Sequence, residues 1–539
     1  MLKKSFLFLL FLWSCVAMMA QKEDVQQQVH RDFVEQRRKM DMVLSAVDQL
    51  YVDTVNLDAL VEGAIVNILQ QLDPHSAYIP KEELARANEP LEGSFTGIGI
   101  QFQMLEDTLF VAQTISGCPA EKVGVYPGDR IIMVDDTLIA GVNIKNSEIM
   151  RRLRGPKGST VRIKVKREGV DELIEFAIVR DKIPIHSMDA AYMVTPKIGY
   201  IKINNFGATT LTEFQEGWST LKKKGAKQLI LDLQGNGGGY LVAAIGMADE
   251  FLSDDRLVVY TQGEHQPRAT AKSTAKGGFE TGDLVVLVDE YSASASEIVS
   301  GAVQDWDRGV IIGRRTFGKG LVQRQLGLSD GAAIRLTTAR YYTPTGRCIQ
   351  KPYKGVDYHK DLEQRFQHGE LMHADSVHFP DSLKYHTLLQ SRIVYGGGGI
   401  MPDVFVPADT SLYTDYHRDL LAKGIINRFC VHYLDTHRAE LKKHYPSLDK
   451  WITHFQMTED MWTTLLNMGE KEKVERKEEE FQRSKDFLAL QLKALIARDL
   501  FNNQAYFQII NSKNDALQEA IRLLESPEKY EAVLKGKRN

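Results

Sequence analysis

The spacing of hydrophobic positions changes several times along the chain, and each change marks a change of element. Met40, Val43, Leu44, Val47, Leu50 and Tyr51 recur at helical spacing, and a second apolar stretch over Leu60–Leu72 predicts another helix. Pro74, in Asp73-Pro74-His75-Ser76, disfavours the helical conformation of its predecessor and should end that helix. From Glu92 to Ile183 the pattern becomes short and alternating, with strands expected at Leu109–Ile115, Arg130–Val134, Val161–Val165 and Ile174–Val179 and Gly, Pro and Asp turns between them. From Ile198 to about Ala408, strands (Ile198–Ile203, Gln228–Leu233, Leu284–Val288) alternate with helices (Leu211–Lys224, Tyr240–Leu252), the mark of an α/β domain. Beyond Thr410 the pattern turns helical and charged: the run Gly469–Asp486 reads as a solvated helix face, followed by Phe487, Leu488, Leu492, Leu495, Ile496 and Leu500 at helical spacing. The expected organisation is therefore 1–20 targeting segment, 21–90 helical region, 91–184 β-rich module, 185–408 α/β core and 409–539 helical C-terminal extension.

Composition narrows the class. With 539 residues, 43% hydrophobic and 26% charged, the chain has apolar material for about three or four domains, which excludes collagen-like, disordered and disulfide-miniprotein classes. Lys+Arg (67) and Asp+Glu (71) nearly balance, so no basic footprint points to nucleic acid. Residues 1–20 carry Lys3 and Lys4, an apolar run from Phe6 to Met19, and Ala20 just before polarity returns, the arrangement of a secretory signal peptide. The expectation is export, with periplasmic residence and no integral span in the mature chain. Surface anchoring through a lipid on Cys15 and secretion are the alternatives, although Trp13 is bulky for a lipidation box. The cysteines Cys15, Cys118, Cys348 and Cys430 form no CxxC pair, and cleavage after Ala20 leaves three, an odd number best read as free thiols.

Three segments carry candidate chemistry. Ser292-Ala-Ser-Ala-Ser-Glu297 follows an apolar strand and opens a helix, where side chains are exposed at the sheet edge and the first helical N–H groups lack partners. Ser294 and Glu297 also satisfy the spacing of an N-terminal capping box. Next, Gly313-Arg-Arg-Thr-Phe-Gly-Lys-Gly320 nearly spells a phosphate-binding loop, but Gly320 stands where a hydroxyl is needed and Leu321–Gln325 alternates like a strand. Its glycines instead give Lys319 a tight setting, in which desolvation favours the neutral amine of a general base. Finally, the strand Leu229–Leu233 runs into Gln234-Gly-Asn-Gly-Gly-Gly239, where glycines let a backbone N–H approach a reacting carbonyl. Two lures fail. Gly327-Leu-Ser-Asp-Gly331 fits G-x-S-x-G but lies between two strands, as a hairpin turn, and His368, His373 and His378 have no metal-ligand spacing.

Taken together, these segments resemble the carboxyl-terminal processing peptidases, or tail-specific proteases, serine endopeptidases with a Ser-Lys pair. The resemblance runs from Leu50 to Val406 through Tyr51-Val-Asp53, Leu72-Asp-Pro-His-Ser76, Phe95-Thr-Gly-Ile-Gly99, the turn at Asp232–Gly239, Ser292–Glu297, Thr316-Phe-Gly-Lys-Gly320, Tyr342-Thr-Pro-Thr-Gly346 and Gly398-Gly-Ile-Met-Pro-Asp403. It implies that Ser294 is the nucleophile, Lys319 the general base, Gln323 the residue orienting the lysine, and the backbone N–H groups of Ala295 and of Gly238 or Gly239 the oxyanion donors. Gln234 departs from a common Arg and Gly237 from a common Pro. The resemblance further implies a crotonase- or ClpP-like core and a PDZ domain in the β-rich module. There, Phe95, Thr96, Gly97, Ile98, Gly99 and Ile100 would present backbone N–H groups to a substrate's terminal carboxylate. No cofactor or metal is called for. Expected partners are unfolded or tail-exposed proteins, with a homodimer or adaptor contact through the helical extension; the competing reading is an inert, exported PDZ scaffold.

Overall fold

A computed structural model of the protein describes residues 31–409 and 411–537. The chain divides into two compact units, 1–78 and 79–539. Residues 1–20, expected to be a targeting segment, and Cys15 among them lie outside the described residues. In the first unit, residues 31–50 and Leu57–Gln70 are helical. The second helix starts three residues earlier than its apolar pattern suggests because Asn56 Oδ1 accepts the Ala59 N–H at 3.1 Å and caps it. Asp73 stops the chain beyond it, accepting the N–H groups of His75 (2.8 Å) and Ser76 (3.0 Å) and the Ser76 hydroxyl (2.7 Å).

In the second unit, the β-rich module is an antiparallel sheet in the order Ile100–Leu105, Thr108–Thr114, Arg130–Val134, Thr160–Lys166, Ile174–Val179. Alternate residues Val161, Ile163 and Val165 are fully buried, as a half-covered sheet requires. The helix Asn146–Leu153 adds Ile149 and Leu153 to the same core. The module's entry and exit, Ser94–Gly97 and Asp181–Pro184, pair antiparallel, so the insertion leaves and rejoins the chain at one place.

The α/β core is a six-stranded sheet in the order Met188–Met193, Ile198–Ile203, Gln228–Asp232, Leu284–Val288, Val310–Gly313, Val404–Phe405, parallel except for the first pair. Every residue of Leu284–Val288 is buried. Each such Val or Leu contributes ~1.5–3 kcal/mol when removed from water, so a sheet of this kind needs cover on both faces. Val286, Val288, Leu229 and Leu231 pack against the helices Thr210–Lys223, Leu241–Asp249 and Ala295–Asp305. Their alternates Val285, Leu287 and Ile230 pack against Ala516, Leu517, Ala520, Leu523 and Leu524. The last helices, Asp515–Leu524 and Pro527–Leu534, are thus a layer of the core, and Tyr530 reaches in to bond the backbone of Leu284. The rest of the extension, from Tyr416 to Ile510, has a hydrophobic core of its own.

One expected helix face is corrected. Gly469–Asp486 is not continuous: Glu459–Lys471 ends, Val474 N–H bonds back to Gly469 O at 3.0 Å with Lys473 at φ 60°, and a new helix runs over Glu478–Leu500. Charge patterning shows that a stretch is solvated but not where a left-handed residue breaks it.

Candidate active site

The three alternating serines have three different environments. Ser292 and Ser296 are fully buried, and their hydroxyls donate to Leu233 O (2.8 Å) and Asn236 O (2.9 Å), which pins the helix entrance to the glycine turn. Ser294, between them, is only partly buried and has φ 56° and ψ −110°, a conformation an L-residue holds only under constraint. It opens the helix Ala295–Asp305, and its N–H donates to Glu297 Oε2 at 2.8 Å, the Glu half of the capping box. The following N–H, of Ala295, makes no backbone hydrogen bond among the described residues.

Glu297 does more than cap. Its carboxylate is fully buried and also accepts the Thr316 hydroxyl (2.5 Å) and the N–H groups of Gly318 (2.7 Å) and Lys319 (2.9 Å). The loop that looked like a phosphate cradle therefore directs its amides at a side chain of its own chain. It continues into the strand Leu321–Gly327. Tyr341, on the neighbouring strand Ala333–Tyr342, closes the other side: its hydroxyl donates to Ser294 O at 3.1 Å and to Lys319 O. One carboxylate and one phenol thus hold the backbones of Ser294 and Lys319 together. Burial pushes the Glu297 carboxyl up to about 7, against the pull of its four donors. Gly318, at φ 89°, holds a backbone conformation that strains a side chain, and a Cβ there would crowd Lys351 Cβ at 3.1 Å. Gln323 donates its side-chain N–H to Thr337 Oγ1 at 3.0 Å, across a strand pair whose register shifts at Val322/Gln323.

The glycine turn reaches the serine. Gly238 has φ 102°, and a Cβ on it would lie 2.7 Å from Ser294 Cβ, so only glycine permits this approach. Its N–H donates to Asn236 Oδ1 at 2.8 Å, whereas the Gly239 N–H makes no backbone bond among the described residues. The turn is anchored by Asp232, whose Oδ1 accepts Lys202 Nζ (3.0 Å) and the Gln234 N–H (2.8 Å) and whose Oδ2 accepts the Tyr200 hydroxyl (2.7 Å). Lys202 also donates to Gln234 O. Asp289, held above the usual carboxylate range mainly by burial, accepts the Gly235 N–H at 2.9 Å. Buried Asn236 donates to Ile203 O at 3.0 Å, and its carbonyl accepts Ala293 N–H at 3.0 Å. Sequence reasoning did not single out Asn236, Lys202, Asp289, Tyr341 or Thr337. Asn236 and Asp289 lie in loops as Asx residues, a local cue to turn-building; the others have no local signal.

In the β-rich module, Phe95, Thr96 and Gly97 sit in the strand pair with Ile183, Lys182 and Asp181. Ile98 and Gly99 follow, their carbonyls taken by Ala120 N–H (2.8 Å) and Ile115 N–H (2.9 Å), and their own N–H groups make no backbone bond among the described residues. Ile100 starts the terminal strand of the sheet, and partly buried Ile100 and Phe102 pack in one cluster with Ile149 and Leu153 of the helix. Such an edge strand, beginning at free amides, is suited to strand addition by an extended peptide. The Gly327–Gly331 segment is a hairpin turn, with Leu328 N–H on Ala332 O at 2.8 Å.

Comparison with known proteins bears on these features together. Carboxy-terminal processing protease CtpA of Bacillus subtilis (strain 168) is 35% identical over 322 residues, covering 59% of this chain and 68% of its own length. The chain belongs to the carboxy-terminal processing proteases of peptidase family S41. A carboxy-terminal-processing protease of Bartonella bacilliformis is 34% identical over 356 residues, 65% of this chain and 81% of that protein. CtpB of B. subtilis is 32% identical over 331 residues, 60% of this chain and 68% of its own. The S41 family description matches residues 197–361, a PDZ domain 96–178, and the N-terminal domain of the activating protease CtpB 10–83. Residues 416–502 match a family of unknown function, DUF8443. The protein is accordingly a serine-type peptidase of the C-terminal processing class, with a PDZ domain inserted before an S41 core. No helix among the described residues is long and apolar enough to cross a membrane.

Proposed function

We propose that this S41 peptidase cleaves tail-exposed proteins in the cell envelope by a Ser-Lys acyl-enzyme mechanism, reading substrate C-termini through its PDZ domain. The observation that carries the reading is the separation of the three serines. Two hydroxyls are buried and committed to carbonyls, while Ser294 stands strained at a helix entrance beside the glycine turn and is tied through Glu297 and Tyr341 to Lys319. In this reading Lys319 takes the Ser294 hydroxyl proton as Oγ attacks the peptide carbonyl. The Ala295 N–H and a glycine N–H of the turn, Gly239 or a Gly238 released from Asn236, hold the oxyanion. The amine leaves with the proton from Lys319, and water then attacks the ester and frees Ser294. Gln323, steadied by Thr337, orients the lysine. The amides of Ile98 and Gly99, with Ile100 and the groove beside it, receive the terminal carboxylate and last side chain. Export follows from the signal-like residues 1–20.

The test compares the mature wild-type protein with Ser294→Ala and Lys319→Ala on an unfolded reporter ending in an apolar residue, as free acid or amide, with products read by mass spectrometry. The expected result is cleavage by wild type alone, faster for the free acid, with each variant losing on the order of 10⁴-fold in turnover. Equal cleavage of acid and amide would remove the tail-reading role; turnover by Lys319→Ala near wild type would remove the assigned base.

A further inference from the structure

The glycine turn is short of internal constraint, since four of its residues, Gly235, Gly237, Gly238 and Gly239, lack side chains. An oxyanion donor must nevertheless be held in place before the reaction. Part of the restraint comes from the far end of the chain. Asn514 donates its Nδ2 to Gln234 Oε1 at 2.9 Å, while its own Oδ1 accepts the Leu517 N–H at 3.2 Å and caps the helix Asp515–Leu524. Gln234 spends its backbone on the anchor: its N–H goes to Asp232 and its carbonyl accepts from Lys202, so its side chain is what reaches out of the turn. A second contact comes from Asn511, three positions earlier, whose Oδ1 also accepts Asn514 Nδ2 at 3.4 Å. Buried Asn511 donates to the Tyr192 hydroxyl at 2.9 Å, and the Tyr192 ring lies 5.0 Å from that of Tyr200, whose hydroxyl binds Asp232. The segment leading to these residues is fixed in turn: Asn503 Nδ2 donates to Asp189 Oδ1 at 2.7 Å, and Gln504 Oε1 accepts the Ala191 N–H at 3.2 Å.

We propose that Asn514 is a positioning residue, touching neither substrate nor the reacting atoms, that holds the glycine turn, through Gln234, in the geometry that binds the oxyanion. The inference rests on the Ser-Lys reading above and extends it to a segment far outside the S41 match. It also gives Gln234, which departs from the common Arg of the family, a partner in Asn514.

The test uses the mature full-length chain and two readouts, the rate at which a fluorophosphonate labels Ser294 and the kcat and KM on the reporter, both below the onset of unfolding. Asn514→Ser keeps a helix-capping oxygen but is too short to reach Gln234. It should slow labelling and lower kcat about three- to tenfold, the weight of one neutral hydrogen bond, with KM unchanged and Tm lowered by no more than about 4 °C. Asn514→Asp keeps the cap and offers a carboxylate to the Gln234 amide turned over, and should stay near wild type. In a Gln234→Ala background Asn514→Ser should add nothing. Labelling of Asn514→Ser at the wild-type rate, or independent costs from the two substitutions, would overturn the proposal while leaving the Ser-Lys reading intact. Wild type that resists labelling at Ser294 would overturn both.

Discussion

Two buried carboxylates organise this site, and they do so by opposite means. Asp232 anchors the glycine turn with a cation beside it, Lys202 at 3.0 Å, and a phenol at 2.7 Å. Glu297 joins the Ser294 and Lys319 loops through dipoles: a hydroxyl and three backbone N–H groups donate to its oxygens, and burial pushes it up to about 7. An ion-paired anchor keeps its charge at the expense of depending on its partner, whereas an anchor held by dipoles gives up bonds when it takes a proton. The first design secures a turn that has to be in place throughout. The second ties the Ser294 loop to the Lys319 loop through a group that burial raises to about 7.

The sharpest break in this contrast is Lys202→Met, which leaves the Asp232 carboxylate buried without its cation. It should cost about 3–5 kcal/mol of stability in denaturant titration, and a much smaller loss would mean that Tyr200 and the Gln234 N–H suffice. Glu297→Gln should act chiefly on rate. An amide cannot accept four donors, so the two loops should shift apart and kcat fall on the order of 100-fold, with less loss of stability than in Lys202→Met. The pH dependence carries the same contrast. The folded state holds the Glu297 proton more tightly than the unfolded chain, whose carboxyl keeps its ordinary value of 4.5, so the contribution to stability falls as pH rises from there to about 7 and is flat above. Wild type minus Glu297→Gln should therefore show a decline on the order of 3 kcal/mol across that window. Activity should run the other way: the part of its acid-side fall that belongs to Glu297, below pH about 7, should be absent in Glu297→Gln, leaving the part that belongs to the base. The smallest effect is expected from Tyr341→Phe, which removes two hydrogen bonds from carbonyls on the opposite side of the pair: about three- to tenfold in kcat.

How much of this was legible in the sequence follows from distance along the chain. Ser294 and Glu297 are three positions apart, and the glycines around Lys319 are contiguous, so their local geometry could be read directly. That Glu297 also gathers Gly318 and Lys319, 21 and 22 positions away, could not, because nothing local separates a capping glutamate from one that caps and clamps. The strand Leu284–Val288 announced by its unbroken apolar run that both sheet faces would be covered. That the outer cover would be Ala516–Leu524 was beyond reach, since an amphipathic helix does not name the face it meets. Four PDZ strands, from Thr108–Thr114 to Ile174–Val179, were read to within a residue because turn residues punctuate them, whereas the edge strand Ile100–Leu105 and the break at Lys473 inside a charged run had no such mark.

The most direct test of the Ser-Lys account is to treat the mature protein and Lys319→Ala with a fluorophosphonate and locate the adduct by peptide mass spectrometry. The account predicts one adduct, on Ser294 and not on Ser292 or Ser296, formed on the order of 10⁴-fold more slowly without the lysine. An adduct on either flanking serine, or labelling of Ser294 at an equal rate in Lys319→Ala, would contradict it.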